Sequence, residues 1–225
     1  MRWVFLLLGA ITPMFALAQF SGNAALLSDY RFRGVSLSAD RSAAQVDIGY
    51  DYEDGAYSGL FLSNARFAER SPERAQVLAY GGYARRLGNG TSIDAGAGYS
   101  DFPGVADYNY GEIHFGFSFN DVSARIHYAP NYFGQGTRTV YSELNARARI
   151  ADSLSLLGHA GVLVVADGPA AHGHIHADAN IVLEYSLRAL RMQMGRVICD
   201  GAASTYPVAG RAGHGDWTAR LSASF

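Results

Sequence analysis

This 225-residue chain has one cysteine and no lysine, and such shortages limit the classes of protein to which it can belong. Cys199 is the single cysteine, so no internal disulfide can form and a small disulfide-stapled domain is excluded. All 18 basic residues are arginines. Charged residues make up only 17% of the chain, against roughly 25% in soluble domains, and the net charge is -2. We therefore expect no nucleic-acid partner, and no cofactor.

Long hydrophobic runs are also missing beyond the first 18 residues. A positive start, a short apolar core and the site Ala16-Leu17-Ala18 predict a cleaved signal peptide at 1–18, which leaves a single domain at 19–225. In that domain the longest apolar run, 161–166, has the length of a strand, whereas a membrane helix needs about 20 residues. Such a chain is either a soluble periplasmic protein or a closed β-barrel in the outer membrane of a Gram-negative bacterium.

Apolar and polar residues alternate through most of this domain, which is the period of a β-strand. Twelve segments show the alternation: 24–34, 43–52, 56–66, 75–86, 91–100, 108–119, 122–128, 139–150, 154–165, 174–188, 190–199 and 217–225. An even number of this size lies within the range of single-chain membrane barrels.

The joins between these segments alternate in length. The short joins lie at 54–55, 89–90, 120–121, 152–153 and 189, and the first two are Asp-Gly and Asn-Gly hairpin dipeptides. The longer joins, which hold all five prolines of the domain, lie at 37–42, 67–74, 101–107, 130–136, 167–173 and 200–216. Short turns on one rim and longer loops on the other are typical of outer-membrane barrels, with the short rim and both chain ends on the periplasmic side.

The last nine residues favour the membrane alternative. Trp217, Leu221 and Phe225 lie on one face of an extended chain, and Thr218 and Arg220 lie on the other. A final aromatic residue is typical of outer-membrane barrels and predicts that the barrel assembly machinery recognises Phe225. We therefore predict an all-β fold, an antiparallel up-and-down transmembrane β-barrel of about twelve strands, with its apolar face against outer-membrane lipid and its polar face around a lumen.

Three stretches of the first half carry a family resemblance. Residues 27–36, which read L-S-D-Y-R-F-R-G-V-S, and residues 55–59 with Ser63-Asn64 resemble the TorF-like porins, as does Tyr99 followed by Phe102-Pro103-Gly104. This family, also described as a conserved hypothetical bacterial group, is regarded as an outer-membrane barrel. The resemblance implies a passive pore for small hydrophilic solutes and no particular substrate.

The charges on the polar phase of the strands predict what lines that pore. Eight acids and eight arginines share this phase: Asp29, Asp47, Asp51, Asp94, Glu112, Glu143, Asp178, Glu184, Arg31, Arg33, Arg125, Arg147, Arg149, Arg188, Arg191 and Arg220. Five of the arginines fall on the last three strands and the first, which become neighbours when the barrel closes. We expect this basic ridge to face a more acidic wall and to favour small anionic or zwitterionic solutes. The alternative is that the charges pair and fill a narrow, non-conducting barrel.

Two other interpretations rest on weaker patterns. His172, His174 and His176 alternate near the outer rim and are weak candidates for a metal site, but we expect no metal because structural zinc needs four oriented ligands. Ser155, His127, His159 and Asp178 could form the site of a rim hydrolase. No local motif specifies such a site, so we expect no enzyme.

Overall fold

The computed structural model of the chain describes residues 20–67, 71–168, 175–200, 206 and 216–225. In this part, twelve strands form a closed antiparallel barrel in which each strand pairs with the next: β1 Phe20–Leu27, β4 Ala43–Asp51, β5 Ala56–Ala65, β6 Arg74–Gly88, β7 Thr91–Asp101, β8 Tyr110–Phe119, β9 Val122–Ala129, β10 Arg138–Ala151, β11 Leu154–Asp167, β12 Ile175–Leu187, β13 Leu190–Cys199 and β14 Asp216–Ser224. Two short strands, β2 Arg31–Phe32 and β3 Val35–Ser36, form a separate hairpin. The predicted twelve-stranded antiparallel barrel is confirmed.

Two 3-10 helical turns, Ala106–Tyr108 and Tyr132–Gly134, lie in the loops. No helix among the described residues is long and apolar enough to cross a membrane. The predicted signal peptide at 1–18 lies outside the described residues.

The barrel closes where β1 meets β14. Five residue pairs join them, from Asn23 opposite Ser224 to Leu27 opposite Arg220. Phe225 extends this seam, because its backbone N–H and C=O exchange hydrogen bonds of 2.9 and 2.8 Å with Gly22. Its ring covers Gly22 so closely that a Cβ there would lie 2.2 Å from a ring carbon. A side chain at position 22 would therefore displace Phe225 from the seam.

The two faces of the barrel have opposite polarity. On β8, Ile113, Phe115 and Phe117 point outward and are about half exposed, while Glu112 and His114 point into the lumen. Outward-facing apolar side chains of this kind cover most strands, and burying each one away from water is worth about 1.5–3 kcal/mol. A continuous apolar surface of this extent is suited to contact with lipid.

Aromatic side chains lie near the ends of the strands on the outer face. Tyr50 and Tyr185 lie toward the short-turn rim, and Tyr99, Tyr128 and Trp217 toward the long-loop rim. Tyr57 and Tyr108 also lie near strand ends but do not belong to these outward-facing aromatic residues. Tyr57 points inward to the His114 ring, and Tyr108 packs on the ring of Phe67 in the loops.

The largest difference from the predicted segments lies after β1. The alternation predicted one strand over 24–34, but β1 ends at Leu27 and the following residues 28–42 leave the wall. These residues, which we call the inner segment, fold into the lumen around the β2–β3 hairpin. Arg31 and Arg33 therefore belong to the inner segment and not to a barrel strand. The predicted tight turns lie between the strands as expected. Most of the predicted joins 167–173 and 200–216, and part of 67–74, lie outside the described residues.

Candidate functional site

The inner segment is held together by Asp29. One oxygen of its carboxylate accepts hydrogen bonds from the hydroxyls of Ser36 and Ser38, at 2.5 and 2.8 Å. The other oxygen lies 2.6 Å from Nε of Arg31. The Arg31 guanidinium also pairs with Asp40 at 2.9 Å and with Asp216 of β14 at 2.7 Å. The segment is thus a compact charged hairpin that is tied to the last strand.

The tip of the hairpin presses on the opposite wall. Arg33 and Gly34 have φ of 50° and 79°, which is the left-handed geometry of a two-residue hairpin turn. A Cβ on Gly34 would lie 2.8 Å from the Cβ atoms of Asp178 and Cys199, so only glycine fits. Nε2 of His176 donates a 2.9 Å hydrogen bond to the Arg33 carbonyl oxygen. The tip is therefore seated against β12 and β13.

The Arg33 side chain spans the lumen from this tip. Its Nη2 donates to Oε1 of Glu112 on β8 at 2.7 Å, and its Nη1 donates to the Tyr132 hydroxyl at 3.1 Å. The guanidinium also lies 4.2 Å from the centre of the Tyr141 ring. Burial alone would lower the pKa of Arg33, but Tyr132 and Glu112 raise it above its ordinary value. Burial raises the pKa of Tyr132 to about 12, so its hydroxyl stays neutral beside the arginine.

The inner segment divides the lumen into two cavities. A cavity of about 360 Å³ lies toward β10–β14, and one of about 690 Å³ lies toward β5–β10. Phe32 and Arg33 line both, as do His127 and Glu143 of the wall. Arg33 therefore lies between the two cavities and contacts both.

The long-loop end of the barrel is filled by apolar side chains. Rings from four different loops meet there, namely Phe67, Phe102, Phe133 and Tyr206, and they are at most 7% exposed. Phe133 stacks on Phe102 with ring centroids 5.8 Å apart, and Phe67 meets Phe102 edge-on at 5.2 Å. We call these four residues the aromatic cluster. It packs on Val35 and Leu37 of the inner segment, so segment and cluster form one unit at this end.

Most carboxylates along the lumen wall lie beside an arginine or a histidine. Asp94 lies 2.8 Å from Nε2 of His114 and 3.3 Å from Nη2 of Arg125. Glu184, which is almost fully buried, lies 2.9 Å from Nη1 of Arg147. Glu143 lies 3.8 Å from His127, and Asp178 lies 2.9 Å from His159. The wall is therefore polar over these strands, and each of these acids has a nitrogen-bearing side chain beside it.

Several charges near the short-turn end have no partner of opposite charge among the described ion pairs. Arg149, Arg191 and Arg220 occupy the inward phase of β10, β13 and β14, and Arg220 donates only to the side chain of Gln45, at 3.4 Å. Asp47 accepts a 2.8 Å hydrogen bond from the Tyr80 hydroxyl, and Asp51 lies at the end of β4. Only β1 separates β14 from β4, so Arg220 and its neighbour Arg191 lie on the same side of the barrel as Asp47 and Asp51. Arg149 lies on β10, on the opposite wall.

The predicted lumen residues thus have three positions in the structure. Asp29, Arg31 and Arg33 lie in the inner segment. Arg188 lies in the β12–β13 turn at the short-turn rim, with φ of 54°. The remaining predicted residues lie on the inward phase of the wall: Asp47, Asp51, Asp94, Glu112, Arg125, Glu143, Arg147, Arg149, Asp178, Glu184, Arg191 and Arg220. Their role in permeation stays a prediction.

The histidine and hydrolase interpretations do not gain support from the geometry. His172 and His174 lie outside the described residues, and no group of three metal-binding side chains occurs among those described. His159 is held by Asn145 at 2.7 Å on Nδ1, and by Asp178 and Tyr141 at 2.9 and 3.0 Å on Nε2. Neither ring nitrogen is directed at Ser155, so His159 lacks the serine partner that a hydrolase would need.

Tyrosines also line the lumen, and the prediction did not include them because it considered only charged residues. Tyr57 and Tyr80 donate to Asp94 and Asp47, and Tyr141 lies between Arg33 and Asp178. All three stand on the polar phase of their strands, so the alternation itself was the signal. Each supplies a hydroxyl to a carboxylate together with a ring that narrows the lumen.

Solved structures of porins share the fold. The NanC porin aligns with a TM-score of 0.59 at 11% identity, over 92% of this chain and 98% of its own. The KdgM porin, in complex with disordered oligogalacturonate, aligns with a TM-score of 0.55 at 9% identity, over 92% and 98%. The translocator domain of the autotransporter NalP from Neisseria meningitidis aligns with a TM-score of 0.51 at 12% identity, over 92% and 88%. At such identities the likeness establishes the barrel fold alone.

Sequence comparison leads to one family. No curated protein matches the sequence. The TorF name stays a prediction, because no comparison bears on it. A family model described as "Bacterial protein of unknown function (Gcw_chp)" matches residues 15–225, and the chain therefore belongs to that bacterial family.

Proposed function

We propose that the protein is a porin-like channel of the bacterial outer membrane, through which small hydrophilic solutes diffuse passively. The observation that carries this proposal is the opposite polarity of the two faces, with half-exposed Ile113 and Phe115 outside and Glu112 and His114 inside. The predicted export signal and the porin fold support the location. Phe225, which extends the closing seam, is the feature that we propose the barrel assembly machinery recognises.

The proposed channel is narrow and its narrowest part is the inner segment. A solute entering from the short-turn end meets polar side chains first and then the two cavities beside Arg33. To leave at the long-loop end it must displace part of the aromatic cluster. We therefore propose a low conductance that rises when the inner segment moves away from Glu112.

The proposed channel prefers anions. Acids along the wall mostly lie beside an arginine or a histidine, whereas four arginines on the inward phase near the short-turn end, Arg86, Arg149, Arg191 and Arg220, outnumber Asp47 and Asp51 among the inward-facing charges there that have no described ion pair. A local excess of guanidinium groups at the entrance raises the concentration of anions there. KdgM, which shares the fold, was solved with oligogalacturonate, so an acidic saccharide is a useful probe beside chloride.

Reversal potentials in planar bilayers test this function. Under a KCl gradient, the purified protein should conduct, and its reversal potential should be shifted from zero toward the equilibrium potential of chloride. Arg191→Gln combined with Arg220→Gln should move the reversal potential toward the equilibrium potential of potassium, because it removes two of these arginines. Asp47→Asn is the matched control and should move it the other way. A cation-selective wild type would contradict the anion preference.

A closed structural barrel is the second candidate. The aromatic cluster, buried at the long-loop end, and the paired wall charges favour it. The same bilayer experiment separates the two functions, because a correctly inserted barrel without any conductance supports the structural role. A rim hydrolase has no comparable observation in its favour.

A further inference from the structure

Arg196 is a charged residue on the apolar outer face. On β13 it occupies the outward phase between Met194 and Ile198, which are 59% and 49% exposed. Across the strand pairs it lies opposite Ile181 on β12 and Trp217 on β14. No ion pair or side-chain hydrogen bond joins its guanidinium to another described residue. A guanidinium in this position needs an anion that comes from outside the barrel, because unpaired charge in hydrocarbon is costly.

The position of Arg196 along the strand places it in the half of the barrel near the long loops. It lies three residues before the end of β13, and its neighbour Trp217 is the second residue of β14. Tryptophan favours the boundary between hydrocarbon and headgroups. The Arg196 side chain can therefore extend along the outer face to the headgroup region on the long-loop side.

A groove on the outer face starts beside Arg196. It has a volume of about 660 Å³ and crosses β10 to β13, a width of roughly 14 Å at the usual strand spacing. Small residues form its floor, namely Ala146, Gly158, Ala160 and Ala179, and Ile181 and Arg196 stand at its edge. The floor is open, because a Cβ added to Gly158 would meet nothing within 4 Å. The groove is apolar and elongated, as one acyl chain requires.

Charge complementarity distinguishes a lipid from a second copy of the chain. On the outward phase of the described strands, the other charged residues are Arg85, Arg138 and Asp101, each near a strand end. Asp101 is already hydrogen-bonded by Asn109. A second copy would therefore bring arginine and apolar side chains to Arg196 but no available carboxylate from this band.

We propose that Arg196 and the adjoining groove bind a phosphorylated glycolipid of the outer leaflet, of the lipid A type. The guanidinium takes a sugar phosphate, Trp217 lies against the headgroup boundary, and the groove takes one acyl chain. This proposal rests on the membrane location in the proposed function and does not require that the barrel conducts.

Native mass spectrometry of the delipidated full-length protein in mild detergent tests the site, with diphosphoryl lipid A as the probe. The wild type should retain lipid A, and Arg196→Gln should weaken its binding about tenfold, since a charge-assisted contact is lost. Gly158→Leu should weaken it as well, because the leucine fills the groove while the guanidinium remains. Arg85→Gln, an outward-facing arginine near the opposite rim, is the matched control and should bind like the wild type.

Three results would overturn the proposal. They are unchanged binding in Arg196→Gln, an equal loss in Arg85→Gln, and equal binding of phosphatidylglycerol, which would make the site a general one for anionic phospholipid. Bilayer recordings on the same preparation keep the two proposals apart. A barrel that retains lipid A without conducting contradicts only the channel, whereas a protein that stays soluble without detergent contradicts both.

Discussion

Arg33 and Gly34 have the most constrained geometry in the described part of the lumen. Both have positive φ, and an arginine in that conformation is unusual enough to need compensation from its surroundings. Glu112, Tyr132 and Tyr141 supply it through two hydrogen bonds and a ring contact to the guanidinium. Two residues thus determine where the inner segment lies.

Gly34→Ala should destabilise the barrel by about 1–3 kcal/mol, since the new methyl group meets Asp178 and Cys199 in a left-handed conformation. Gly158→Ala is the matched control, because its methyl group meets nothing, and it should change stability by less than about 0.5 kcal/mol. Urea unfolding in lipid vesicles, followed by tryptophan fluorescence, measures both. Equal effects in the two variants would mean that the tip is not packed on β12 and β13.

Arg33→Gln should cost about 3 kcal/mol, because it leaves the partly buried carboxylate of Glu112 without its cation. Adding Glu112→Gln should recover part of the loss, which a double-mutant cycle in the same unfolding assay measures. Arg138→Gln removes an exposed rim pair with Asp167 and should cost at most about 1 kcal/mol. If the double variant were no more stable than Arg33→Gln alone, the pair would not be coupled.

At the scale of strands, the alternation of apolar and polar residues was sufficient to predict the strands of the barrel wall. The segment predicted at 108–119 is β8, Tyr110–Phe119, and the Asn-Gly and Asp-Gly turns lie where they were expected. Alternation is local, and each of these strands obeys it because one side faces apolar and the other polar surroundings.

The same reasoning failed at the inner segment for a physical reason. Asp29, Arg31 and Arg33 continue the polar phase of β1, so nothing local ends the strand at Leu27. The contacts that fold the segment inward join residues far apart in the sequence, such as Arg33 with Glu112 and Arg31 with Asp216. Likewise, the alternation placed the lumen charges on one phase but could not pair them, because pairing depends on register across strands.

The seam between β1 and β14 is the element whose loss should affect assembly most. Deleting Phe225 removes two backbone hydrogen bonds to Gly22 and exposes the β1 edge. We expect less folded barrel in the outer membrane, seen as a smaller heat-modifiable band on gels of washed membranes. Phe225→Tyr keeps the ring and the backbone bonds and should assemble like the wild type. Full assembly of the deletion variant would contradict a role of this residue in the seam or in recognition.

At the scale of the whole molecule, the described barrel has an apolar outer surface and a polar interior, so the channel that we propose runs through the lumen. In that proposal, the inner segment and the aromatic cluster set the width of the route. Their removal is therefore the most direct test of the closed state.

Replacing residues 30–37 with a short Gly-Ser linker should raise single-channel conductance severalfold, because it joins the two cavities and removes the packing partner of the aromatic cluster. The measurement is made in planar bilayers at symmetric KCl. A linker that replaces loop residues 120–121 instead leaves the inner segment in place and serves as the control. Unchanged conductance in the first variant would mean that the constriction lies elsewhere.

The inner segment also affects the shape of the cylinder. It begins at β1, contacts β8 through Arg33, β12 and β13 through Gly34, and β14 through Arg31, so it ties together walls that backbone pairing alone does not connect. A barrel of this size without internal contacts can flatten to an elliptical cross-section, whereas in this barrel the inner segment joins several walls. A solute that separates Arg33 from Glu112 would therefore allow the cross-section of the whole barrel to become less circular, and would also widen the lumen beside Arg33.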